Sequence, residues 1–165
     1  MPKRARCPHC DRLFNRDALD SHIKRCRGKR DGLTQSTMTA RRRSLVIDGN
    51  NIAYHLAPKG TPRASNLLLA YQSLTTAGFN PVIVISAALI HAIDKPQELQ
   101  SLLSVGIAIE APRGTNDDLT IIRTAKKRDA DVVSNDRFLD WTEKFPWLAS
   151  RLRKYRMTPS GLLLL

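Results

Sequence analysis

From residue 44 onward, short apolar runs alternate with longer segments whose apolar residues recur at helical spacing, and this alternation constrains the fold most strongly. The predicted strands are Leu45–Ile47, Val82–Ile85, Ile107–Ile109 and Asp131–Ser134. Strands that are apolar on both faces are typical of sheets covered on both sides. The pattern therefore predicts an α/β fold, a three-layer α/β/α sandwich with a mostly parallel sheet. In such sheets ligands bind beyond the carboxyl ends of the strands.

The segments between the strands carry helix signals. The predicted helices cover residues 61–77, 94–104 and 116–128, followed by two short helices that begin at residue 135 and near residue 147. Thr61 and Pro62 are typical of an N-cap with a first-turn proline, and Gly78 is typical of a helix end. Asp94 and Gln97 have the spacing of a capping box. Residues 155–165 are expected to close the sheet as one or two edge strands.

Charge is distributed unevenly along the chain. The formal net charge is +12, and the first 43 of the 165 residues hold 13 of the 27 Lys and Arg but only 4 of the 15 Asp and Glu. This excess predicts a polyanionic partner, most simply nucleic acid. We divide the chain into a small finger at residues 1–27, a basic flexible linker at 28–43 and an α/β domain at 44–165. The charged N-terminus and the absence of a long apolar segment predict a soluble, intracellular (cytoplasmic) protein with no membrane partner.

All three cysteines lie near the N-terminus, at Cys7, Cys10 and Cys26, and His22 precedes the last of them. This spacing is typical of a tetrahedral zinc site, whereas an odd number of cysteines argues against a disulfide framework. The segment resembles zinc fingers of the Cys-Cys-His-Cys class. Because the protein supplies all four ligands, we expect a structural Zn²⁺ whose binding provides the folding energy. The alternative is a set of unligated, reduced thiols.

Five aspartates fall where a parallel sheet would gather them. Asp48 ends the first strand, Asp117 and Asp118 open a helix, and Asp136 and Asp140 follow the fourth strand. Each alone has an ordinary explanation as a helix-end, turn or solvated surface charge. Together, acids at one edge of a basic protein repel one another unless a cation lies among them. Carboxylates without neighbouring His or Cys favour Mg²⁺ or Mn²⁺ over zinc.

Three segments, residues 46–53, 116–118 and 132–140, are similar in order and spacing to the acidic motifs of the Regnase-like ribonucleases. These enzymes belong to the NYN branch of the PIN-domain nucleases, and the similarity extends over residues 44–158. The resemblance implies a PIN-like fold. It also implies metal-site and catalytic roles for these residues: Asp48, Asp117, Asp118 and Asp136 as metal-site acids, Asp140 as a further acid, and Asn51 as the motif asparagine. Leu119 stands where the family often has arginine.

The resemblance to ribonucleases implies hydrolysis of phosphodiester bonds in RNA, and our hypothesis is an endonuclease that prefers single strands. The expected cofactor is Mg²⁺ or Mn²⁺, which would polarise the scissile phosphate and lower the pKa of a bound water. Products with a 5′-phosphate and a 3′-hydroxyl are expected. Two alternatives remain: a DNA nuclease that acts on branched or flapped ends, and a non-catalytic nucleic-acid-binding protein. The finger would aid binding of nucleic acid or of a protein partner, including a second copy of the chain.

An anionic strand approaching an acidic site requires cations at the rim. The candidate substrate-binding residues are Arg41, Arg42, Arg43, Arg113, Lys126, Lys127 and Arg137, with a further basic run at residues 151–156. Lys126 and Lys127 have an ordinary alternative, because cations complement the C-terminus of a helix. His55, just past the first acidic motif, is either a substrate contact or a loop residue.

Overall fold

The computed structural model describes residues 4–7, 13–15, 17–24 and 42–165. The chain divides into two units, Met1–Arg41 and Arg42–Leu165. In the first unit, strands β1 (Arg4–Arg6) and β2 (Leu13–Asn15) form an antiparallel pair, and residues 17–24 form helix α1.

The predicted zinc finger is therefore described in part. Cys7, directly after β1, is buried, and Phe14 of β2 stacks on His22 of α1 with ring centroids 3.9 Å apart. The other two predicted ligands, Cys10 and Cys26, lie outside the described residues, as do Arg41 and most of the predicted linker. The zinc site and the linker stay predictions.

The second unit is built on a five-stranded parallel sheet with strand order β5-β4-β3-β6-β7. The strands are β3 (Ser44–Asp48), β4 (Asn80–Ile85), β5 (Ala108–Glu110), β6 (Asp131–Val133) and β7 (Leu152–Arg153). The chain builds outward from β3 through β4 to β5, and then returns to place β6 on the other side of β3. This reversal leaves a crevice beyond the carboxyl ends of β3 and β6.

Helices cover both faces of the sheet. They are α2 (Gly49–Ala53), α3 (Ala64–Thr76), α4 (Leu89–Ala92), α5 (Pro96–Ser104), α6 (Asp117–Arg128) and α7 (Leu148–Arg151), with 3₁₀ turns at Pro58–Gly60 and Leu139–Trp141. On one face Leu45 and Ile47 pack with Leu67 of α3, and on the other Val46 packs with Ile122 of α6. Successive residues of β3 thus enter opposite cores, as the pleat requires. The predicted three-layer α/β/α sandwich is confirmed.

The prediction that residues 155–165 close the sheet is wrong. Leu152–Arg153 forms the edge strand, whereas β8 (Tyr155–Thr158) and β9 (Gly161–Leu164) form a separate antiparallel hairpin. The hairpin covers α3, where the Leu162 amide donates to the Ser73 hydroxyl at 3.0 Å. Leu162 is buried in the same core as Leu67. The apolar residues of the hairpin are buried against helix α3, which removes them from water as effectively as pairing with the sheet edge would.

Two predicted helix starts are also wrong. Helix α3 begins at Ala64 rather than at Thr61, and α5 begins at Pro96. Asp94 does not cap its own helix: its Oδ1 accepts a hydrogen bond from the Ala64 amide at 2.9 Å, so it caps α3 instead. The helix expected from residue 135 is replaced by a loop that precedes the 3₁₀ turn at Leu139–Trp141. None of the helices in the described part of the chain is both long and apolar enough to cross a bilayer.

Candidate active site

Asp48 is the last residue of β3 and the N-cap of α2. Its Oδ1 accepts from the Asn51 amide at 3.1 Å, and its Oδ2 accepts from the Ser134 hydroxyl at 2.8 Å. Only 6% of the residue is exposed. Two donors from different elements therefore fix the position and the orientation of the carboxylate.

Helix α2 starts so close to the sheet that only glycine fits at position 49. A Cβ built on Gly49 would lie 2.6 Å from the Ile85 side chain and 2.7 Å from the carbonyl oxygen of Val84. Asn50 follows and connects three elements. Its side-chain NH₂ donates to the Ser86 hydroxyl at 2.8 Å and to Asp117 Oδ2 at 3.1 Å, and its Oδ1 accepts from the Ser86 backbone amide at 3.1 Å. The first motif thus holds α2 against β4 and α6.

Asn51 connects α2 to the far side of the site. Its Oδ1 accepts from the Tyr155 hydroxyl at 2.8 Å and from the Asn135 amide at 3.1 Å. Asn135 in turn makes a reciprocal pair with the Tyr155 backbone, donating to its carbonyl at 3.2 Å and accepting from its amide at 3.1 Å. These bonds fix the loop that follows β6.

That loop carries Asp136. Its amide donates to the Ser134 hydroxyl oxygen at 3.0 Å, and its Oδ1 accepts from the Phe138 amide at 3.0 Å. Phe138 has a φ of 51° and is 2% exposed, so burial of its ring holds the backbone in this turn. The Lys154 ammonium also binds this loop, donating to the carbonyl oxygens of Asn135 and Asp136 at 2.9 and 2.7 Å.

Asp117 and Asp118 form the first turn of α6. Asn116 is the N-cap, and its side chain accepts from the Asp118 amide at 2.8 Å. Trp141 donates its indole N–H to Asp118 Oδ2 at 3.4 Å. The capped start of α6 therefore fixes the positions of Asp117 and Asp118.

These elements enclose one cleft of about 460 Å³, which we call the acidic cleft. It is lined by Asp48, Asn50, Asn51, Tyr54, His55, Asp117, Asp118, Asn135, Asp136 and Tyr155. The structure thus brings together five of the six predicted catalytic residues. The sixth, Asp140, is exposed on the 3₁₀ turn and does not line the cleft, although its charge acts on Asp118.

The electrostatics show how closely the acids are gathered. Burial raises the pKa of Asp48 from 3.8 to about 6, against the hydrogen bonds from Asn51 and Ser134, and the charges of Asp118 and Asp117 raise it further. Burial also raises the pKa of Asp118, as do the charges of Asp117, Asp136 and Asp140. Burial, and to a smaller extent the charge of Asp48, also raises the pKa of Tyr155. Its hydroxyl therefore stays protonated at neutral pH and can donate a hydrogen bond.

The donor set fits a hard divalent cation. The carboxylates of Asp48, Asp117, Asp118 and Asp136 line one cleft. Burial first, and then the charges of neighbouring acids, raise the pKa values of Asp48 and Asp118, an electrostatic situation that a bound cation relieves. Within the described residues, however, no three His, Cys, Asp or Glu side chains meet as a ready-made ligand set. The assignment of these acids as metal ligands stays a prediction.

The predicted rim cations are spread widely. Arg113 lies beyond β5, in a pocket that shares Ser86 with the Asn50 network, and Arg137 directly follows Asp136. Lys126 and Lys127 are in the last turn of α6, about 14 Å along the helix from its acidic first turn. The exposed Arg42 and Arg43 precede β3, at the opposite edge of the sheet from the cleft.

Part of the basic run at residues 151–156 has structural partners. Arg151 pairs with Asp129 at 2.7 Å, and Arg153 pairs with Asp131 at 2.9 Å, both at the amino-terminal side of β6. Lys154 of this run donates side-chain hydrogen bonds to the Asp136 loop. Burial lowers the pKa of Lys154; the charge of Asp136 raises this pKa, and the charge of Arg137 lowers it.

Sequence reasoning missed several residues that build the site. They are Asn50, Ser134, Asn135, Trp141 and Tyr155. Asn50, Ser134 and Asn135 lie inside the acidic motifs, so their position beside the acids was the signal that could have identified them. Tyr155 carries no local signal, because its role depends on β7 bringing the chain back beside β6.

Comparison with known proteins agrees with this architecture. Two structures of the nuclear protein-only RNase P 2 (PRORP2) from Arabidopsis thaliana are similar, one with a TM-score of 0.61 at 17% identity over 99% of this chain and 41% of that chain. The other has a TM-score of 0.60 at 17% identity, over 100% of this chain and 42% of that chain. This chain thus spans about two fifths of those chains, and the likeness concerns the fold.

No curated protein matches the chain. The family model of the Zc3h12a-like ribonuclease NYN domain matches residues 41–160, which include the whole acidic cleft. The chain therefore belongs to the Zc3h12a-like ribonuclease NYN domain family.

Proposed function

We propose that this protein is a metal-dependent endoribonuclease that cuts single-stranded RNA in the acidic cleft. The observation that carries the proposal is that four carboxylates, from β3, α6 and the loop after β6, line the same open cleft. They lie at the carboxyl edge of a parallel sheet, beside the point where strand order reverses. The family supplies the reaction class, RNA cleavage.

Asp48, Asp117, Asp118 and Asp136 are the residues that would hold Mg²⁺ or Mn²⁺. When bound, such an ion polarises the scissile phosphate and activates a water for in-line attack. The protein's own contribution is to hold the carboxylates in place before substrate arrives. Asn50 orients Asp117, Ser134 orients Asp48, and Asn116 positions the first turn of α6.

Cations beside the cleft would receive the RNA backbone. Arg137 and Arg113 are exposed, and Lys154 lies against the carbonyls of the Asp136 loop. Their charge offsets the repulsion between a phosphodiester and an acidic cleft, and RNA binding is expected to weaken as salt rises. Lys126, Lys127, Arg42 and Arg43 would contact RNA further from the cut bond.

The N-terminal unit would bind a structural Zn²⁺ through Cys7, Cys10, His22 and Cys26. The buried Cys7 after a strand and His22 on the following helix support this, since a small ββα unit commonly holds its metal between those two elements. Its role would be to tether the nucleic acid or a partner protein and so raise the local concentration of substrate at the cleft.

The decisive experiment is a cleavage assay on matched RNA and DNA oligonucleotides, with Mg²⁺ or with EDTA. We expect cutting of RNA with Mg²⁺, none with EDTA, and loss of at least about 100-fold in kcat/KM for Asp136→Asn. The exposed Glu143 provides the matched control, Glu143→Gln. Preferential cutting of DNA would establish the DNA nuclease instead, and metal-independent binding without cleavage would establish the non-catalytic alternative.

A further inference from the structure

The acidic cleft contains one largely exposed aromatic side chain, that of Tyr54. Tyr54 lines the cleft beside the carboxylates and is 46% exposed. Among the described residues its ring stacks on no other ring and its hydroxyl makes no hydrogen bond. The other aromatic groups of the cleft differ: the His55 ring lies 5.6 Å from that of Tyr155, whose hydroxyl bonds Asn51.

The backbone beneath Tyr54 is rigidly held. Tyr54 is the C-cap of α2, with its amide donating to the Asn50 carbonyl at 3.1 Å and its carbonyl accepting from the Ala57 amide at 3.1 Å. The side-chain amide of Asn66, on α3, donates to the carbonyls of Ile52 (3.1 Å) and His55 (3.0 Å). An exposed ring is thus presented from a fixed position, which lowers the entropic cost of binding a ligand.

The surroundings of Tyr54 select the kind of ligand. The same cleft contains four carboxylates, so an anionic group without a cation is repelled there, whereas a neutral aromatic ring is not. A nucleobase offers such a ring, and it is free to stack on protein only where it is unpaired. Base–aromatic stacking is also tolerant of sequence.

We propose that Tyr54 is the stacking surface for one unpaired base next to the scissile phosphodiester, and that it thereby selects single-stranded over paired RNA. This inference rests on the proposed ribonuclease function. A duplex keeps its bases inside the stack and cannot occupy this surface without unpairing. Tyr54 is thus a specificity-determining residue, distinct from the carboxylates that act on the phosphate.

The test combines a protein variant with removal of a single base from the substrate. Single-stranded RNA oligonucleotides are prepared with one abasic nucleotide at each position around the cleaved bond, and kcat/KM is measured with Mg²⁺. For the wild type we expect a loss of roughly 10- to 100-fold at one abasic position. For Tyr54→Ala the same loss is expected on intact RNA, with no further loss when that base is removed.

Two variants serve as controls. Tyr54→Phe keeps the stacking ring and should keep the wild-type abasic pattern. Leu56→Ala removes another exposed side chain two residues away that does not line the cleft, and should also leave the pattern unchanged. An abasic penalty in Tyr54→Ala that equals the wild-type penalty at every position would overturn the inference.

Failure of the proposed function would be recognised separately, because the wild type would then cut no RNA. In that case Tyr54→Trp decides the inference by fluorescence, against the signal of the native tryptophans. Quenching of the added tryptophan by intact oligonucleotide but not by its abasic counterpart supports a base-stacking surface. Equal quenching by both oligonucleotides, or none by either, contradicts it.

Discussion

The Ser134 hydroxyl donates to Asp48 Oδ2 at 2.8 Å, joining residues that lie 86 positions apart in the sequence. The same hydroxyl oxygen accepts from the amide of Asp136 at 3.0 Å. A fully buried serine thus connects the carboxylate at the end of β3 to the loop that carries the next acid. This connection aligns the first and third acidic motifs.

Ser134→Ala is expected to shift the pH dependence of cleavage. The hydrogen bond from Ser134 lowers the pKa of Asp48, so its loss raises that pKa and leaves less carboxylate at neutral pH. We expect kcat/KM to fall about 2-fold near pH 7 and to recover at higher pH. A pH–rate profile measures this. Ser150→Ala, which removes a hydroxyl bonded to the Trp147 carbonyl, should leave the profile unchanged.

Asp48→Asn is expected to stabilise the metal-free protein while abolishing cleavage. Burial raises the pKa of Asp48 from 3.8 to about 6, so the fold favours the neutral acid. The unfolded chain binds fewer protons here, and stability falls as pH rises through 6. Asparagine carries no charge, so the variant should gain about 1–3 kcal/mol in free energy of unfolding at pH 8.

Urea unfolding in EDTA between pH 4 and pH 8 measures that gain. It should shrink steadily below pH 6 and be small near pH 4, where Asp48 of the folded wild type is protonated. A gain that is equally large at pH 4 and pH 8 would show that the desolvated charge of Asp48 is not its source.

Gly49→Ala is expected to destabilise the fold by about 3 kcal/mol or more. The added Cβ would come within 2.7 Å of the Ile83 and Ile85 side chains and of the Val84 carbonyl, which belongs to a central strand and cannot yield. Thermal unfolding measures the loss. Gly114→Ala is the comparison: its Cβ meets nothing within 4 Å, and only its φ of 75° costs about 1 kcal/mol.

Cys7→Ser in the full chain is expected to remove zinc and to weaken RNA binding while cleavage by the acidic cleft persists. Metal analysis of the purified protein should give one zinc per wild-type chain and none in the variant. KM for RNA should rise, with kcat nearly unchanged, because the finger acts on substrate concentration rather than on the reacting bond. A wild-type protein without zinc would contradict the finger assignment.

Local patterns in the sequence predicted the strands and the acids well. The four strands β3 to β6 each carry an apolar signal, whereas β7 does not. Asp48 ends a strand, Asp117 begins a helix and Asp136 lies three residues after a strand, so their placement needs only neighbouring residues. Asn116 was likewise recognisable as a helix start. The predicted rim cations were harder to place, because a charged residue has the same local pattern whether it bonds the Asp136 loop, as Lys154 does, or pairs with an acid elsewhere, as Arg151 does.

The amino-acid order by itself determined that this chain forms a covered parallel sheet with carboxylates at its carboxyl edge, since periodicity and helix signals act over a few residues. Only the tertiary structure decided what holds and borders those carboxylates. The Tyr155 hydroxyl reaches Asn51 across 104 positions, and Asn50 reaches Ser86 across 36. Such contacts arise from strand order and from the return of the chain at β7, which no local pattern encodes.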